Sequence, residues 1–163
     1  MIDQIRTKWA KGKVRRIVSA RILPGTDFIS GIEKICIENK IEGGTFSAIG
    51  SLEKATFFLP TKKEGAKKGA GYSEPKTITG PIELLSSEGF ISKDPESDSG
   101  LFIHIHGIIN DTEGRLYGGH FLKGENPILL TLDVVIFEFV DVSLSRDYDP
   151  EIGMKLIIPA PKQ

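Results

Sequence analysis

Only one stretch of this chain repeats its apolar residues at helical spacing, and that restricts the fold more than any other feature. Phe28, Ile29, Ile32, Ile35 and Cys36 recur three and four positions apart within residues 28–39. Pro24-Gly25 breaks the chain just ahead of them, and Thr26 or Asp27 stands where a helix cap belongs. The rest is β-branched or alternating. Residues 13–23 read as a strand running into that turn, and 45–49 and 52–59 as two strands around a bend at Gly50-Ser51. Residues 60–76, with five lysines and three glycines, fit neither period and read as a long loop or an irregular hairpin tip. Residues 78–92 form one further strand with a bulge at Gly89, 93–100 a polar loop, 101–122 a hairpin and 128–140 a long strand, followed by a Pro-containing tail. About seven strands against one helix predict an α+β fold. The sheet should be antiparallel, strongly curved or barrel-like, and covered on one side by the α-helix.

At 163 residues and 17.9 kDa the chain makes one domain, 1–163. With 39% hydrophobic and 26% charged residues and a net charge of -1, it is neither disordered nor basic throughout, so any nucleic-acid contact must be local. No apolar run reaches the roughly 18 to 20 residues of a membrane helix, and the N-terminus lacks the apolar core of a signal peptide, which places the chain in the cytoplasm. A single cysteine cannot form an internal disulfide or a Cys-rich zinc site, and its place in the helical stripe makes Cys36 a packing residue. Charge is divided between the ends. Arg6, Lys8, Lys11, Lys13, Arg15, Arg16 and Arg21 stand together without an acid, and six acids against Arg146 fill residues 133–151. Solvated strand faces explain this most simply; a meeting of the two ends across a subunit interface is the alternative.

All three histidines, His104, His106 and His120, fall within seventeen positions. Alternation puts His104 and His106 on one face of a strand. Residues 110–115, Asn-Asp-Thr-Glu-Gly-Arg, suit a three-residue loop with Gly114 left-handed, so that Asp111 faces Arg115. Continued without a bulge, that register sets His106 opposite His120 at about 5 Å between Cβ atoms and His104 diagonally at about 7 Å. Three converging imidazoles suit a divalent metal, most simply zinc, and leave one coordination position open. A slip of one residue would turn His120 to the other face. Gly118-Gly119, just before His120, either bend the strand or admit a close approach. Glu53, Glu83 and Glu88 lie on strands, but nothing in the sequence fixes which of them faces the histidines.

Several segments in order resemble the plants-and-prokaryotes-conserved domain, PPC. They are Leu23-Pro24-Gly25-Thr26-Asp27, the helix, Ala48-Ile49-Gly50-Ser51-Leu52-Glu53-Lys54-Ala55, Gly80-Pro81-Ile82-Glu83-Leu84-Leu85-Ser86, His104-Ile105-His106, Gly114-Arg115-Leu116-Tyr117-Gly118-Gly119-His120 and Val134-Val135-Ile136. The likeness covers roughly 13–140, leaving the basic arm and the tail as flanks. It implies a homotrimer, a zinc site on the three histidines and a description as a DNA-binding protein. The Arg-Gly-Arg-Pro core of the AT-hook that accompanies the domain in plants is absent here. Pro81 and Ile82 also stand where plant members carry Arg and Phe, so partner choice does not transfer. The cupins, which also bind metal through His-x-His, fit less well, because their third histidine lies in a distant second motif.

Two functions follow. One is a homotrimeric metal-binding regulatory module that touches DNA weakly through Arg6, Lys8, Lys11, Lys13, Arg15 and Arg16, or meets other regulatory proteins. The other is a zinc-dependent enzyme acting on a small molecule at the open metal position. The apolar surplus of residues 128–140 reads as a strand buried on both faces, consistent with a trimer.

Overall fold

The computed structural model describes residues 6–162. β1 (Lys13–Ile22) ends at the Pro24-Gly25 turn, where Gly25 takes φ 76° and its N–H donates to the Ile128 carbonyl at 2.8 Å. Asp27 then caps α1 (Phe28–Glu38), its Oδ1 accepting from the Ser30 N–H at 2.9 Å. β2 (Gly44–Phe58), β3 (Pro60–Lys62), β4 (Ala70–Tyr72), β5 (Lys76–Lys93), β6 (Leu101–Asn110), β7 (Leu116–Phe121), β8 (Ile128–Val140), β9 (Val142–Asp149) and β10 (Met154–Pro161) follow. Eight of these ten strands form the main sheet, one more than the sequence suggested, and β3 and β4 make a small separate hairpin within the expected 60–76 tip.

β2 pairs with β5, β5 with β6 and β6 with β7, and β7 returns to β2 through Phe57↔Phe121 and Phe58↔His120. Four strands therefore close into a ring. β8 and then β1 extend it from the other side of β2, and β9 and β10 extend it from the end of β5. Inside, Phe28, Ile32 and Cys36 of α1 meet Phe46, Phe57, Ile105 and Phe121 of the sheet, all at most 2% exposed. The Phe28 and Phe121 rings sit edge to face at 6.2 Å. Burial pushes the Cys36 thiol up to about 12, with the charge of Glu33 adding to it, which fits a packing residue.

Four expectations need correction. Residues 45–49 and 52–59 are one strand, β2, because the bend at Gly50-Ser51 is taken up by register shifts between Ala48 and Gly50 and between Leu52 and Lys54. The irregularity of β5 lies between Leu84 and Ser86, whereas Gly89 pairs in register with Phe46 and Ile105. A Cβ on Gly89 would lie 2.1 Å from the His104 carbonyl oxygen, so this glycine serves close packing and not a bulge. The tail is a regular β9–β10 hairpin. Within one chain, β8 turns Ile128, Leu132, Val134 and Ile136 into the core and leaves Leu130 and Asp133 exposed on its other face. Finally, the basic and acidic ends meet within one chain: Arg6 contacts Glu151 at 2.5 Å, Lys8 contacts Asp149 at 3.3 Å, and Arg16 contacts Glu138 at 2.6 Å.

Candidate metal centre

The β6–β7 hairpin is shaped by its turn. The Asp111 N–H donates to the Arg115 carbonyl at 3.2 Å, the Gly114 N–H donates to the Asp111 carbonyl at 3.0 Å, and Gly114 takes φ 76°. The Asp111 carboxylate accepts from Arg115 Nε at 2.8 Å and from the Glu113 and Arg115 N–H groups at 2.9 and 3.0 Å. Burial raises its pKa, but these donors outweigh it and hold the carboxyl down at about 2. The loop thus has the expected form, and the register runs unbroken from Asn110↔Leu116 to His106↔His120. Gly118 and Gly119 serve close backbone approach: a Cβ would lie 2.5 Å from the Gly107 carbonyl oxygen and 2.4 Å from that of Phe58, respectively.

His104, His106 and His120 converge on the outer face of this hairpin, with ring centroids 5.0 to 5.2 Å apart. His106 Nε2 lies 3.2 Å from His104 Nε2 and 3.3 Å from His120 Nδ1. Nitrogens bonded to one zinc at about 2.0 to 2.1 Å with tetrahedral angles stand about 3.3 Å apart. The donor set and its spacing therefore fit such an ion. Burial lowers the pKa of His104, with the charges of His106 and Arg146 adding to it. It lowers His120 to about 4, with His104, His106 and Arg146 contributing. Both shifts favour the neutral imidazole that a metal needs.

Cross-strand pairing decides which acid shares this face. Glu88 pairs directly with His106, whereas Glu83 pairs with Asn110 and Ser51. Even so, the cluster of donor atoms within 4.8 Å contains the three histidines and no carboxylate among the described residues. Beside His104 and His120 a cleft of about 370 Å³ opens, walled by Phe58, Tyr72, Phe102, Leu156 and Arg146. Sequence reasoning missed these residues. Arg146 and Leu156 belong to the hairpin read as a tail, and no local pattern ties it to the histidines.

The basic residues are dispersed. Arg6, Lys8, Arg15 and Arg16 each face an acid, the last two sharing buried Glu138. Lys11 lies 5.6 Å over the Trp9 ring, and neither Lys11 nor Lys13 has an acidic partner among the described residues.

A curved antiparallel sheet closed through four strands, packed by one capped helix and bearing three histidines on one hairpin, makes this an α+β sheet protein. This chain belongs to the Plants and Prokaryotes Conserved domain family (PCC, also written PPC), whose model matches residues 10–140. The metal-containing protein AF0104 from Archaeoglobus fulgidus superposes with a TM-score of 0.77 at 26% identity, over 93% of this chain and 99% of that one. A Pyrococcus horikoshii PPC protein superposes at 0.74 with 20% identity, over 90% and 94%, which shows the shared fold. The bifunctional protein GlmU of Synechococcus sp. strain JA-3-3Ab is 28% identical over 139 residues, 85% of this chain. This chain spans about a fifth of the length of the curated relatives it matches, 20% for that protein.

Proposed function

We propose that this protein is a metal-binding PCC-domain module holding one divalent ion, best matched by zinc, on His104, His106 and His120. The spacing of 3.2 and 3.3 Å between its imidazole nitrogens carries the reading. Its likeness to a metal-containing archaeal protein supports it. The working form on this reading is a homotrimer, as the family resemblance implies, acting in the cytoplasm. Its regulatory contacts, DNA included, run through Arg6, Lys8, Lys11, Lys13, Arg15 and Arg16 and are weak.

Elemental analysis of untagged protein tests the metal. One ion per chain is expected, with most of it lost in His106→Ala. Equal metal content in the two proteins would overturn the assignment. Because the core is built without the histidines, the metal-free protein should remain folded.

The cleft beside His104 and His120 favours a second reading, an enzyme acting on a small molecule. A metal there acts as a Lewis acid and lowers the pKa of bound water. The chain's own residues supply the aromatic wall and the guanidinium beside it. Exchange of a bound water at the fourth position favours this reading, and a fourth protein ligand favours the module.

A further inference from the structure

We propose that the cleft takes a small organic carboxylate, with one oxygen on the metal held by the three histidines and the negative charge met by Arg146. The inference rests on the metal reading above. Three neutral imidazoles leave both charges of a divalent ion uncompensated, and no carboxylate of the described chain joins their cluster. An anion is thus the ligand that the fourth position favours. Arg146, on β9, is fixed for this purpose. Its Nη1 donates to Asp94 Oδ2 at 2.8 Å, and Asp94 is only 2% exposed and also accepts from the Glu96 N–H at 3.2 Å. The guanidinium carbon lies 4.0 Å over the Phe102 ring, and Phe102 in turn stacks on His104 at 6.0 Å and 19°. Cation, ring and metal-site imidazole are therefore neighbours along one wall of the cleft. About a third of the Arg146 side chain remains accessible, 32%, and it lines the cleft.

The rest of the wall selects the body of the ligand. Phe58, Tyr72, Met154, Leu156 and Ile157 give apolar surface, with the Tyr72 ring 5.1 Å from that of His120, and the one further cation on the wall, Lys155, is paired with Glu96. A space of about 370 Å³ accepts a short hydrocarbon tail behind the carboxylate. A planar guanidinium matches a planar carboxylate, and an apolar wall gives nothing to free phosphate.

The test uses the full chain loaded with zinc, titrated calorimetrically with acetate, butyrate and inorganic phosphate, and the cobalt-loaded chain followed by its visible spectrum. Butyrate should bind one per chain about tenfold more tightly than acetate, shift the cobalt bands, and outcompete phosphate. Arg146→Gln should keep one metal per chain and lose about tenfold or more in butyrate affinity. Because that change strands buried Asp94, the double variant Asp94→Asn/Arg146→Gln repeats the measurement with the pair neutralised. Butyrate affinity within twofold of the parent in either folded variant would overturn the role of Arg146. Equal binding of acetate, butyrate and phosphate, or none by metal-loaded parent, would overturn the carboxylate assignment and leave the metal reading standing. Failure of the parent to take up metal would overturn both.

Discussion

His120 is the histidine whose surroundings change it most. Unfolded, its ring takes a proton near the ordinary value of about 6.5; folded, it does so only near 4, chiefly because burial penalises the charged form. Between those values the unfolded chain binds more protons. This contribution to stability is therefore whole above about pH 6.5 and is lost as pH falls toward 4. The melting temperature of metal-free protein should accordingly be level from pH 8 to 6.5 and drop from 6.5 to 5, with a shallower drop in His120→Gln. An unchanged slope in that variant would remove the argument. The window stops at pH 5 because Asp111 and Glu151, both held near 2, begin to lose their own contributions lower down. The histidines were legible in the sequence because the loop chemistry of Asp111 and Gly114 fixes a register over a few residues. Arg146 was not, since its approach depends on contacts with Asp94 and Phe102 far away in the chain.

At the scale of elements, the β6–β7 hairpin is held on both sides, by β5 through β6 and by β2 through Phe57↔Phe121. Its glycines should consequently differ in what they tolerate. A Cβ at Gly114 meets open space and costs only the left-handed backbone, about 1 kcal/mol. At Gly119 it would press into the Phe58 carbonyl at 2.4 Å and the Phe57 ring at 2.9 Å, forcing the β2–β7 closure apart. Gly119→Ala should cost about 2 kcal/mol or more in urea unfolding and release metal, whereas Gly114→Ala should retain it. Equal effects would mean that the closure does not position the site. The helix and most strand segments were legible from period alone. The single path of β2 was not: whether Gly50-Ser51 ends a strand or bends it depends on the partners on either side, which no local pattern records.

Across the whole molecule, the outer face carries rows of paired residues, Ile17–Phe137–Thr45 and Ser19–Val135–Ser47, with Ile17 60% exposed and Ile49 56% exposed nearby. Such a surface suits burial against another copy, and sedimentation equilibrium should give three times 17.9 kDa. A concentration-independent monomer mass would contradict that. DNA binding should be weaker than composition suggests. Four of the six arm residues already face acids, leaving Lys11 and Lys13, so the log–log salt slope should be about -1.8 per chain instead of the -3.6 or so of four phosphate contacts. A steeper slope would show that those ion pairs exchange onto phosphate. This balance was hidden in the sequence because Arg6 and Glu151 lie 145 positions apart.

The two strands that end the main sheet, β1 and β10, also govern how copies can approach one another. β1 lines its open border with Lys13, Arg15, Arg16 and Arg21, and β10 carries Pro159 and Pro161, which have no N–H to offer a neighbour. Strand-to-strand addition, the route to runaway fibrils, is thereby blunted at both borders. Any association of copies is thus directed to the faces of the sheet, where shape can limit their number.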